Sequence, residues 1–174
     1  MSHRPCLIAA VDLNNRAAGV LRRATKLAAL CHADLLVAHV VDYRGVFESD
    51  HIPAHGPADV QASLVRQARA WLLGLLHHLD AAGPTVEIRV SAGQPLGEIA
   101  DLAVERRARF IVMGRQAWGR HFGPLAGLAQ DPRVQALNCD VIAVEGRDGG
   151  TLAAELGNTL RRLFPSVSGG RTVA

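Results

Sequence analysis

The chain has 174 residues, of which 49% are hydrophobic and 20% charged, and its formal net charge is +3. That balance suits one globular domain with a real core and excludes a fibrous or disordered chain. No apolar run approaches the roughly 18–20 residues a bilayer requires, so no membrane association is expected. All basic residues but Lys26 are arginine, and they are scattered along the chain. A nucleic-acid surface would cluster them, so none is expected. Cys6, Cys31 and Cys139 are widely spaced with no CxxC pair. They read as small free hydrophobes in a reducing, cytoplasmic setting, not as a zinc site or disulfide framework.

The first element is an unbroken apolar run, Cys6 to Val11, the pattern of a strand covered on both faces. A polar turn, Asp12-Leu13-Asn14-Asn15, leads into an amphipathic helix. Its apolar stripe is Ala17, Val20, Leu21, Ala24, Leu27, Ala28 and Cys31, with Arg16, Arg22, Arg23 and Lys26 assigned to the outer face. Leu35 to Val41 is a second buried strand. Residues 43–57 hold two glycines and two prolines and read as a long loop. A helix is expected over about 58–81, burying Val60, Leu64, Ala68, Trp71, Leu72, Leu75 and Leu79, and stopped by Gly83-Pro84.

Thr85 to Val90 alternates apolar and charged residues, as an edge strand does. Gly93-Gln94-Pro95 opens the next helix, with Leu96, Ile99, Ala100 and Ala103 turned inward. Phe110 to Met113 is a fourth strand, and residues 114–130 are expected to form a glycine-containing loop. Asp131-Pro132 caps a short helix before a fifth strand, Val141 to Val144. Beyond residue 146 the composition changes. The reading is a domain over 1–146 and a tail over 147–174, made of a linker, an amphipathic helix from Thr151 to Phe164 and a disordered end.

Strands alternating with helices imply an α/β fold with a doubly wound, five-stranded parallel sheet. Ligands of such sheets bind outside the carboxyl ends of the strands where the winding reverses. That places Asp12, the strand end near Val40 and the Gly114 loop around one crevice.

Three segments carry a resemblance. Ile8-Ala9-Ala10-Val11-Asp12 is followed by a helix. Gly93-Gln94-Pro95 precedes Glu98-Ile99 and leads to Phe110-Ile111-Val112-Met113-Gly114. Gly127 stands twelve residues before Cys139 and the final strand. In order and spacing these resemble the universal stress protein domain over about residues 5–145. The resemblance implies the strand order 3-2-1-4-5 of adenine nucleotide alpha hydrolase-like folds. It also implies a homodimer, commonly formed through the strand that is here Val141 to Glu145.

Family members that bind ATP carry glycine, two residues, glycine, nine residues, then glycine and a hydroxyl residue. Here those positions are Gly114, Ala117, Gly127 and Leu128. The resemblance implies a site of Ala10, Asp12, Val40, Met113, Gly114, Gln116, Ala117, Gly127, Leu128 and Ala129, with ATP or AMP as the candidate ligand and no cofactor required. Ala10 and Met113 match pocket walls, Val40 the backbone that meets adenine, and Asp12 the acidic residue near the ribose or adenine. Arg115 and Arg120 could add charge for phosphates. Leu128 replaces a hydroxyl with an apolar group where phosphate is expected, Gln130 replaces a second hydroxyl, and the Asp131 carboxylate would compete with an anion. Each residue has a plainer reading: Asp12 as a helix cap, Val40 and Met113 as core, and the arginines as solvated.

Other chemistry is sparse. His51 and His55 stand near Glu48 and Asp50 in the long loop, and His77 and His78 late in the helix. A metal would need a third ligand brought by the fold; scattered histidines of this kind read as solvated, and no metal site is assigned. His39 reads as a satisfied core histidine. There is no G-x-S-x-G elbow and no Walker A lysine loop, so no catalytic residue is assigned. Three functions remain open: a non-enzymatic stress-response regulatory dimer with a degenerate nucleotide loop, an ATP- or AMP-binding sensor with slow hydrolysis, and a module whose Thr151 to Phe164 helix docks on a protein partner.

Overall fold

The computed structural model describes residues 4–14, 16–42, 57–77, 85–115 and 124–144. Ten elements run in the order β1 (Cys6–Ala10), α1 (Ala17–Leu30), β2 (Asp34–Val41), α2 (Pro57–His77), β3 (Val86–Ala92), α3 (Pro95–Arg106), β4 (Ala108–Gly114), α4 (Pro124–Ala129), α5 (Pro132–Ala136) and β5 (Asp140–Val144). The strands form one parallel sheet in the order β3-β2-β1-β4-β5. This is the doubly wound topology expected from the alternating pattern.

The sheet separates two cores. Leu7, Ala9, Leu35, Val37, Phe110 and Val112 face α1 and α2, while Ile8, Ala10, Leu36, Ala38, Val40, Ile111 and Met113 face α3, α4 and α5. Strands β1, β2 and β4 are buried on both faces, which is why their sequences are continuous apolar runs. Edge strand β3 keeps the alternation, with Glu87 and Arg89 exposed. Those two charges are tied down. Glu87 pairs with Arg106 of α3, and Arg89 lies 3.7 Å from Glu105. Charged side chains along an open edge discourage pairing with another chain.

Three expectations need correction. Trp71 is 40% exposed, while its neighbour Leu72 is fully buried. The buried stripe of α2 is centred on Ala68 and Leu72, and Trp71 stands about 100° round the helix from Leu72. Arg23 is only 7% exposed, not solvated, and its Nη1 donates to the Gly19 carbonyl one turn back (3.3 Å). A long arginine stem can lie along apolar surface while its head finds an acceptor. Finally, residues 124–129 are helical, although the whole stretch 114–130 reads as loop. Pro124 supplies a helix-compatible φ at the first position, and Leu128 gives the short helix something to bury.

Leu79, the stop at Gly83-Pro84, the loop over residues 43–56 and the tail from 145 onward lie outside the described residues. Among the described residues no helix is long and apolar enough to cross a membrane.

Candidate functional site

The winding reverses between β1 and β4, so their carboxyl ends and that of β2 border one crevice. Register brings the expected residues together. Ala10 stands opposite Ala38 on one side and opposite Met113 on the other. Ala10, Val40, Met113 and Leu128 all belong to the core on the α3 side of the sheet, and each is buried. They form a sealed floor. Among the described residues, the mouth presents half-buried Asp12, half-buried Gly114 and exposed Arg115, whose N–H is bonded to the Val144 carbonyl (3.0 Å).

Asp12 is not the cap of α1. The N-cap position is Arg16, which makes no capping bond through its side chain. The turn is built instead by Asn14, whose Oδ1 accepts from Arg16 N–H (2.9 Å) and whose carbonyl accepts from Ala17 N–H (3.1 Å). That leaves the plainer reading of Asp12 without its helix.

The phosphate end differs from expectation in two ways. Leu128 is 0% exposed, within the cluster that includes Ile99, Met113 and Val134. Its side chain therefore fills core and does not project into the space above the strands. Gly127 packs closely on α3: a Cβ there would come within 3.1 Å of Leu96 Cδ1, so the leucine would have to shift by a few tenths of an ångström. Asp131 does cap α5, accepting from Arg133 N–H at 2.9 Å. Its carboxylate also takes Arg133 Nε (3.0 Å) and Nη2 (2.7 Å), and Arg133 in turn pairs with Asp101, halfway along α3. The arginine's hydrogen bonds hold the Asp131 carboxyl below its ordinary range. The Asp131 charge, which by sequence alone would repel an anion, is thus already paired, partway down the α3 layer. Ala129 is exposed, with its carbonyl accepting from Gln135 Nε2 (3.3 Å). Gln116, Ala117 and Arg120 lie outside the described residues.

Beside the crevice, a cavity of about 90 Å³ opens between β2, β3 and α3, with Val40, Ser91, Glu98 and Asp101 in its wall. Glu98 folds over the start of α3, where a Cβ at Gly93 would lie 2.9 Å from its Oε1. The glutamate tip can swing aside, and glycine is favoured here by the backbone, which takes φ 158°, a value L side chains rarely adopt. His39 is 8% exposed, and its Nδ1 lies 2.8 Å from the Val11 carbonyl, so it is the satisfied core histidine expected. Burial lowers its pKa, against the opposing pull of the Val11 bond and Asp12. Burial pushes all three cysteine thiols up, Cys139 to about 12, which disfavours the thiolate. Among the described residues, no three His, Cys, Asp or Glu side chains converge to hold a metal. His51, His55 and His78 lie outside that set.

Comparison with known proteins agrees with this architecture. The universal stress protein family model matches residues 7–145. Universal stress protein A homolog 1 of Coxiella burnetii is 27% identical over 143 residues, 82% of this chain and 96% of that protein. Among solved structures, the universal stress protein from Archaeoglobus fulgidus in complex with dAMP gives a TM-score of 0.56 at 22% identity, covering 83% of this chain and 100% of that one. A universal stress protein in complex with cAMP gives 0.52 at 20% identity, covering 84% and 100%. At these identities the structural likeness is one of fold, and the family match over most of the chain decides membership. The chain belongs to the universal stress protein family.

Proposed function

We propose that this protein is a non-enzymatic, cytoplasmic regulatory domain that binds an adenine nucleotide of the AMP type in the crevice formed by the ends of β1, β2 and β4. The observation that carries this reading is the burial of Leu128 together with the pairing of Asp131 to Arg133. Neither residue stands in the crevice as an obstacle, so the adenosine end, with Asp12 and the Val40 backbone, keeps its components. The phosphate end is poorer. With leucine at 128 and glutamine at 130 it has no hydroxyl donors there, so a longer phosphate chain gains little. Family relatives solved with dAMP and with cAMP support a ligand of this class. A homodimer through β5 belongs to the same proposal. Edge strand β3 is guarded along its length by paired charges, whereas β5 carries one charge at its start, Asp140, followed by the apolar run Val141, Ile142, Ala143 and Val144.

Calorimetric titration with AMP, cAMP and ATP, with and without magnesium, tests the reading. The expected result is affinity of about micromolar for AMP and no more than about a threefold advantage for ATP. No heat at millimolar ligand, with no shift in melting temperature, would overturn it. That outcome favours a second reading, a nucleotide-free interaction module, whose motive is the missing hydroxyls at 128 and 130.

A further inference from the structure

In a parallel ladder, alternate residues of a strand send both N–H and C=O to the same neighbour. On β2 the odd-numbered residues serve β3: Leu35 N–H reaches Thr85 O (2.9 Å), and Val41 O accepts from Gly93 N–H (3.1 Å). The even-numbered residues serve β1: Asp34 N–H reaches Pro5 O (2.9 Å), and Ala38 O accepts from Val11 N–H (2.9 Å). Val40 is the next even residue, and its ladder partner would be the Val11 carbonyl.

That rung is not made among the described residues. The pairing of β1 with β2 ends at Ala10 opposite Ala38, and the Val11 carbonyl lies 2.8 Å from His39 Nδ1 instead. A carbonyl only accepts, so Nδ1 carries the proton and donates. The imidazole approaches from the α1 face of the sheet, since His39 shares parity with Leu35 and Val37. The Val40 side chain is sealed into the opposite face. The backbone edge of Val40 is left facing the gap where the chain departs at Asp12. Its N–H and C=O, side by side, form a donor and an acceptor. Adenine offers the complement, with N1 accepting and the N6 amino group donating. Hypoxanthine reverses both, carrying a donor at N1 and an acceptor at O6.

We propose that His39 is a positioning residue for base recognition: by occupying the Val11 carbonyl, it keeps the Val40 backbone edge unpaired for the Watson–Crick edge of adenine. The proposal rests on the nucleotide reading above and adds to it the residue that sets base selectivity.

The test compares wild type with His39→Leu and His39→Asn, whose amide nitrogen can reach the place of Nδ1. AMP and IMP are titrated into each, and exchange of the Val40 amide is followed by NMR without ligand. Wild type is expected to prefer AMP over IMP by about tenfold or more, the scale of two matched against two mismatched hydrogen bonds. His39→Leu lets Val40 N–H close onto Val11 O. AMP affinity then falls about tenfold, the AMP/IMP preference largely vanishes and Val40 exchange slows, while His39→Asn stays within about threefold of wild type. A purely structural histidine would change melting temperature without changing the AMP/IMP ratio. An unchanged ratio in His39→Leu overturns the proposal. So does a Val40 amide already protected in ligand-free wild type, a measurement that needs no variant to fold. If wild type binds neither nucleotide, the nucleotide reading fails and the role in base selection fails with it. Slowed Val40 exchange in His39→Leu would still uphold the hydrogen-bond displacement itself.

Discussion

Replacing Leu128 with serine restores the hydroxyl that ATP-binding relatives carry, and by sequence alone it should improve ATP binding. The structure leads to the opposite expectation. Leu128 is fully buried, in the cluster that holds Ile99, Met113 and Val134. Removing a buried leucine side chain costs about 3 kcal/mol, toward the lower end of the measured range because a six-residue helix near the sheet edge can partly collapse. A serine hydroxyl left in that core without a partner adds about 1 kcal/mol more. The total of about 4 kcal/mol corresponds to a fall in melting temperature of roughly 8–16 °C for a domain of this size. Urea unfolding and thermal melts of Leu128→Ser and Leu128→Ala, each paired with an ATP titration, make the check. Both variants should be destabilised, serine somewhat more than alanine, and neither should gain ATP affinity. A serine variant as stable as wild type, with ATP affinity raised about tenfold, would refute the reasoning. It would mean that position 128 points at the phosphates after all.

Two further predictions concern the flanks. Asp131→Ala removes the cap of α5 and should cost about 1 kcal/mol in urea unfolding. Because Arg133 holds the Asp131 carboxyl below its ordinary value of 3.8, the contribution is fully present above that value and is lost as pH falls through the lower folded one. The gap between variant and wild type should therefore close in acid, and a gap independent of pH would count against the cap. On β5, Val144 O accepts from Arg115 N–H, so the even residues face β4 and the Ala143 N–H points outward. Proline at position 143 removes an outward donor and spares the ladder. If two copies pair through β5 as proposed, Ala143→Pro should halve the mass that light scattering gives for wild type without lowering the melting temperature by more than a few degrees. An unchanged dimer would exclude β5 pairing.

The sheet was readable because burial on both faces leaves a plain mark. Runs such as Leu7 to Ala10 and Phe110 to Met113 have no solvent side to alternate with. The alternation over Val86 to Val90 marked the edge for the converse reason. Helix faces were less legible where a side chain is amphipathic. Helical spacing puts Trp71 on a buried stripe and Arg23 on an outer face, and the structure has Trp71 exposed and Arg23 buried. Helix α4 escaped because six residues cannot display a period of 3.6, and so the direction of Leu128 was invisible too.

The site follows the same division. Alignment with a family pattern names positions, but not which way a side chain at those positions points. Gly127 and Leu128 keep their places in the pattern while serving the packing of α3 and α4. The backbone edge of Val40 leaves no trace in side-chain type, because ladder parity belongs to N–H and C=O groups that every residue carries. One clue was present nevertheless. A lone histidine inside Leu-Leu-Val-Ala-His-Val-Val must find a partner once buried. In a parallel sheet with saturated ladders, an acceptor comes within reach of such a ring mainly where a neighbouring strand ends. A buried polar residue near the carboxyl end of a central strand therefore marks the place where a ladder has been interrupted. In a doubly wound sheet, that place is also where ligands bind.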